Sequence, residues 1–234
     1  MTAAEILALL RNMGNEGTAR VLRNHGAHDP CLGVKIGDMK QLQKQLKRNY
    51  ALSLELYDSG IYDAMYLAGL IAEPERMTKK DLTNWVKTAS KPIAGYVVGP
   101  VAAGSSAGWS QALVWIKSKN EIQKIAGWAT VSAVSSIRPD TELDLDEYQR
   151  LLEDVERTIH AAKDAVRYQM NSFVISVGSF IVSLTEAAMK AGHRIGVLQV
   201  DMGDTSCEVP FAPEYIQKVR DKGRIGKKRS SAMC

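Results

Sequence analysis

Tyr62-Asp63-Ala64-Met65-Tyr66-Leu67-Ala68-Gly69-Leu70-Ile71-Ala72 is the stretch on which the fold of this 234-residue chain turns. It opens with polar residues and continues as an apolar helix with small residues in mid-turn. Asn120-Glu121-Ile122-Gln123-Lys124-Ile125-Ala126-Gly127-Trp128-Ala129 and Asp164-Ala165-Val166-Arg167-Tyr168-Gln169-Met170-Asn171-Ser172-Phe173-Val174 repeat the pattern at low identity. Ala68-Gly69, Ala126-Gly127 and Asn171-Ser172 let helices approach closely, so each stretch reads as the inner helix of a two-helix unit. Stacking such units gives an all-α fold, a curved α-α superhelical solenoid with one continuous core and a concave face.

Outward from these stretches the helical period persists. Ile6, Leu7, Leu9, Leu10 and Met13 form a stripe at offsets of three and four, and Leu42, Leu46, Leu52, Leu54 and Leu56 continue it in the next pair. Short breaks rich in Gly, Pro, Asn and Asp interrupt it at 12–17, 25–37, 59–60, 73–75, 90–92, 104–108 and 138–140. Thr78 with Asp81 reads as a helix start, and Asp164 is expected to act similarly before Val166. Trp85, Trp109, Trp115 and Trp128 sit beside Leu, Val and Ile, where burial is their expected use.

With 45% hydrophobic and 24% charged residues, disorder is excluded. The net charge of +4 is unevenly placed: Lys218, Arg220, Lys222, Arg224, Lys227, Lys228 and Arg229 are opposed only by Asp221, which leaves the remainder at −2. Ala212-Pro213-Glu214 is expected to open a short helix, after which Gly223 and Gly226 release a flexible cationic strand suited to a phosphate backbone. The same strand has an alternative partner in the acidic run Asp140, Glu142, Asp144, Asp146 and Glu147. Three widely spaced cysteines, Cys31, Cys207 and Cys234, point to a reducing compartment. No signal peptide is expected, and the apolar stretches 95–103 and 173–184 fall short of a membrane span. A cytoplasmic protein without a membrane partner follows as the expectation.

Cys31-Leu32-Gly33-Val34-Lys35-Ile36-Gly37-Asp38-Met39-Lys40, then Leu54-Glu55-Leu56-Tyr57-Asp58 and Asp63-Ala64-Met65-Tyr66-Leu67-Ala68, carry a resemblance to a known family. They resemble the DNA alkylation repair enzyme family, HEAT-like repeat proteins that include alkylpurine glycosylases, over most of residues 5–195. The resemblance implies a HEAT-like helical-repeat domain over 1–195. Residues 196–234 would form a C-terminal extension with the short helix and basic arm, which looks like that of one branch of the family. It further implies a basic concave groove that holds duplex DNA, and a Trp-Trp-Asp-x-x-Asp stretch whose last Asp supports N-glycosidic cleavage by stabilising the cationic transition state.

In the matching register the chain reads Lys91-Pro92-Ile93-Ala94-Gly95-Tyr96, so Tyr96 replaces that Asp. Ile125 falls where an Arg is expected, and Ser172 and Ile175 where a Trp and an Arg are expected. The function expected is therefore DNA binding without classical alkylpurine glycosylase activity. A protein-interaction scaffold is the first alternative; a glycosylase that recruits another acid, such as Asp63 or Glu121, is the second. Candidate contacts to duplex DNA are Lys91, Tyr96, Lys124, Arg167 and Tyr168 on inner helices, with Lys218, Arg220, Lys222, Arg224, Lys227, Lys228 and Arg229 from the arm. No cofactor and no metal is expected. Asp201 and Asp204 with Cys207 read better as a turn, with His193 expected near a helix C-terminus. A nucleophile pair of Cys31 with His25 or His28 lacks an orienting acid.

Overall fold

Hydroxyl and amide side chains cap five of the helix starts among the described residues. The Thr2 and Thr78 hydroxyls accept from the N–H groups of Glu5 and Asp81, whose carboxylates accept in return from the cap backbone. Asn15, Asn49 and Asn120 cap three more helices through their side-chain oxygens. The computed structural model, which describes residues 1–201 and 208–233, contains α1 (Ala3–Met13), α2 (Glu16–Asn24), α3 (Ile36–Leu46), α4 (Tyr50–Asp58), α5 (Tyr62–Ile71) and α6 (Lys79–Thr88). Residues 91–103 form the continuous α7, followed by α8 (Gly108–Ile116), α9 (Glu121–Ile137), α10 (Leu145–Thr158), α11 (Asp164–Phe180), α12 (Thr185–Ile195) and α13 (Ala212–Asp221). No strand occurs among the described residues. The expected start at Asp164 differs in detail: Lys163 holds the cap position without a side-chain bond, and Asp164 pairs with Arg167 at 3.0 Å.

The three sequence repeats are α5, the first half of α9 and the first half of α11. Together with α7 they pack side by side in the order α5, α7, α9, α11, while α4 backs α5, α8 backs α9 and α12 backs α11. Small residues make this possible. A Cβ on Gly99 would lie 2.5 Å from that of Ala129, and one on Gly127 would lie 2.8 Å from the backbone nitrogen of Ile116. Ile6, Leu10, Leu56, Leu67, Val97, Val131 and Phe173 are fully buried in one continuous core, as expected, and Trp85, Trp115 and Trp128 join it. Leu9, counted in the α1 stripe, instead faces solvent.

The Leu32-Gly33-Val34 turn and the Asp63 helix are one assembly. The two Asp63 carboxylate oxygens accept from Leu32 N–H at 2.6 Å and Val34 N–H at 2.7 Å, in a fully buried position. Gly33 has φ +76°, and a side chain there would overlap the Asn15 carbonyl oxygen and the Ala19 backbone. Two stretches 29 to 31 residues apart are thus a lock and its bolt.

The segment after residue 195 turns back onto the body. α13 packs on α11 and α12, with Ile216 fully buried over Gly178. Beyond it, Gly226 N–H donates to Ser179 O at 2.9 Å and Arg229 N–H to Ser136 O at 2.7 Å. The Lys228 ammonium donates to the carbonyls of Ser135 (2.8 Å) and Phe180 (2.7 Å) and pairs with Asp140 at 2.7 Å. The strand expected to be flexible is therefore docked, because the ends of α9 and α11 offer orphan carbonyls that an ammonium satisfies. Docking on Asp140 is the alternative read from the acidic run.

Candidate nucleic-acid interface

The centre of the candidate interface is an irregularity in α7. Pro100 has no N–H to give the Tyr96 carbonyl, and its ring would crowd that oxygen in a regular α-helix. The backbone widens into a π-turn over Ala94–Val98, with Gly99 N–H bonded five residues back to the Ala94 carbonyl. Tyr96 rides on this turn with its residue surface 54% exposed, in contrast to the fully buried Ala94, Val97 and Val98 around it.

Tyr96 stands over a cleft of about 650 Å³. Tyr62 and Tyr66 of α5, Lys91 and Pro92 of α7, Ile125 of α9, and Asp164, Tyr168 and Gln169 of α11 line it, closed at the rim by His25 and Asp201. A second cavity of about 360 Å³ shares Tyr66, Tyr96, Tyr168 and Gln169 and adds Ser132, Ser136 and Ser172. Its remaining wall includes Arg229 and Ala232 from the docked C-terminal segment. Between the two cavities the Gln169 amide lies where a side chain on residue 95 would be: a Cβ on Gly95 would fall 2.7 Å from Nε2.

Charge at the cleft mouth is largely compensated. Glu121 pairs with Lys91 at 2.9 Å and Lys163 at 3.4 Å. Burial works to raise the Glu121 pKa, but the two ammonium groups outweigh it and hold the carboxyl below the usual range. Asp63 is no alternative acid, since both its oxygens are occupied by backbone N–H groups away from solvent. Cys31 is buried, and desolvation with the nearby Asp63 pushes its thiol up to about 11, the reverse of an activated nucleophile. His28 Nε2 lies 3.1 Å from the Gly60 carbonyl.

The sequence-derived residues divide into three groups. Lys91, Tyr96 and Tyr168 meet at the cleft, and Arg229 joins both tyrosines in the second cavity, its guanidinium 5.4 Å from the Phe180 ring centroid. Lys124 is half-buried beside Ile125 but outside the cleft wall, while Lys218, Lys222, Arg224 and Lys227 are exposed on α13 and the turns after it. Arg167, Arg220 and Lys228 have structural partners instead. Arg167 donates to the carbonyls of Ile159, His160, Ala162 and Gln199 as well as to Asp164, because its five-donor fork meets the end of α10 and the chain beyond α12. Arg220 is paired with Glu186. Asp204 and Cys207 lie outside the described residues, and no group of three or more metal-ligating side chains occurs among those described.

Tyr62, Tyr66 and Gln169 were not anticipated as site residues. The four-residue spacing of Tyr62 and Tyr66 on an inner helix was the available signal, since it puts both rings on one face. Ile125 and Ser172, marked as departures from the family pattern, do line the two cavities.

A stacked-helix protein with an aromatic, partly basic concave face is the class defined by this geometry. The chain belongs to the DNA alkylation repair enzyme family, whose model matches residues 6–194. It is similar to the uncharacterized protein Lin0241 of Listeria innocua, 30% identical over 221 residues covering 91% of this chain and 95% of that one. A similar match, 30% over 219 residues, is to the uncharacterized protein Lmo0209 of Listeria monocytogenes. Among solved structures it resembles a member of "a new family of proteins related to the HEAT-like repeat DNA glycosylases with affinity for branched DNA structures". That likeness has a TM-score of 0.90 at 33% identity and covers both chains completely. Among the described residues, no single helix is long and apolar enough to cross a membrane.

Proposed function

We propose that this protein binds DNA on its concave face, engaging the backbone of duplex and branched forms, and does not excise alkylated bases. The observation that carries the reading is Tyr96. It occupies the π-turn over the cleft, at the position where the family resemblance places the glycosylases' catalytic carboxylate. A tyrosine there supplies no carboxylate to stabilise a developing oxocarbenium ion. Glu121 is neutralised by two lysines and Asp63 is consumed by the Leu32-Gly33-Val34 turn, which weakens the alternative of a borrowed acid. Affinity for branched DNA in the similar solved structure supports the choice of ligand. We further propose a cytoplasmic location, which the wide cysteine spacing supports.

Fluorescence anisotropy with labelled duplex and three-way-junction DNA over a salt series tests the reading. With about three cations engaged, from Lys124, Lys227 and Arg229, log K against log salt should fall with a slope of roughly −3. Release of methylated purine from alkylated DNA would overturn the non-excising part. Failure to bind either DNA at low salt would transfer the concave face to the protein-scaffold alternative.

A further inference from the structure

The tyrosine-walled cleft has features that a phosphate-binding groove does not need. Tyr62, Tyr66, Tyr96 and Tyr168 come from three different helices to one space of about 650 Å³, within the range of sites that enclose small organic groups. Tyr62 is buried and forms the floor, while Tyr96 is more than half exposed at the mouth. The polar groups on the wall, besides the tyrosine hydroxyls, include the Asn24 and Gln169 amides, His25, Asp164 and Asp201; Lys91 is paired with Glu121 and Asp164 with Arg167. With Lys91 and Asp164 both held in ion pairs, these groups offer a phosphate no uncompensated cation. They do not repel a neutral aromatic ring, and amide and carboxylate oxygens can accept from exocyclic amines on a base edge. The cleft opens on the same face as the second cavity, where Arg229 supplies a cation beside Tyr96 and Tyr168.

We propose that this cleft receives an unpaired nucleobase turned out of a DNA branch point, stacked against Tyr96 and Tyr168 over the Tyr62 floor. The proposal rests on the DNA-binding reading above and adds the part of the ligand that is recognised. Branch points expose unstacked bases that a continuous duplex does not, and every base has a π-face, so stacking on tyrosine selects DNA form rather than sequence. Phosphates are left to cations outside the cleft.

A three-way junction carrying 2-aminopurine unpaired at the branch, compared with the same junction carrying it paired within an arm, reads this directly. Full-length protein at saturation should quench the unpaired probe and leave the paired one unchanged. Tyr96→Ala should remove the quenching and lower the ratio of affinities, unpaired over fully paired DNA, about tenfold; Tyr96→Phe should retain both. Because Tyr96 is exposed, the alanine variant is expected to fold, and circular dichroism would verify it. Unchanged 2-aminopurine emission with DNA bound, or an affinity ratio insensitive to Tyr96→Ala, would overturn the cleft assignment while leaving DNA binding intact. Absence of binding to either junction would overturn the DNA reading, and this one with it.

Discussion

Asp63 near the start of the superhelix and Lys228 near its end perform the same task with opposite charge. Asp63 accepts from two backbone N–H groups and fixes the turn 32–34; Lys228 donates to two backbone carbonyls and fixes the tail across the ends of α9 and α11. Their settings differ. Asp63 is fully buried behind the interface, whereas the Lys228 side chain keeps 19% of its surface exposed and is balanced by Asp140. The first fastening leaves the tyrosine cleft open to ligand. The second brings the C-terminal segment into the groove as one of its walls. A charged side chain in this protein is therefore not a guide to ligand contact until its backbone partners are known.

The largest expected break is at the buried end. Asp63→Ala leaves two buried N–H groups without acceptors and should cost about 3–5 kcal/mol in chemical denaturation. Asp63→Asn should recover part of that loss through its single carbonyl oxygen. At the other end, Lys228→Met should cost about 2 kcal/mol. Its more telling effect is local: hydrogen exchange at the Gly226 and Arg229 amides should accelerate, while exchange in α5 stays unchanged. Equal acceleration in both places would mean that the two fastenings are one cooperative unit.

Removing residues 226–234 separates charge from aromatic recognition. The salt slope should become shallower by about 2, the share of the exposed Lys227 and Arg229, with duplex and junction affected alike. An unchanged slope would take the tail out of the interface. Glu121→Gln has the smallest and opposite expected effect, because freeing Lys91 and Lys163 should tighten all DNA about two- to threefold at low salt. The same bridge sets a pH dependence. With its pKa held below the usual carboxylate range, Glu121 stays ionised as pH falls from 7 to 5, so its stabilising contribution persists there and is lost only as pH drops through the lowered value. DNA affinity that rises steeply between pH 7 and 5 while Glu121→Gln stays flat would contradict that assignment.

The helical layout was readable because each inner helix repeats a local pattern, and Thr78 with Asp81 announces a helix start by chemistry that spans only three residues. The interface was readable in part. Tyr96 and Tyr168 emerged from their polar or small flanks, but Tyr62 and Tyr66 look like ordinary core aromatics until α7 and α11 are placed opposite them. Arg167 was read as a groove cation for a related reason. In the chain it is a cation on an inner helix, and only folding delivers four carbonyls to its guanidinium.

By itself the sequence determined the all-α repeat and the family, since these depend on residue type, local period and register. Tertiary structure alone decided which charges are available and what the groove contains. Lys227 and Lys228 are adjacent and chemically identical, yet one is exposed and the other is bound to Ser135, Phe180 and Asp140. The partners of Lys228 lie 48 to 93 residues away along the chain, and no local pattern encodes an encounter at that separation.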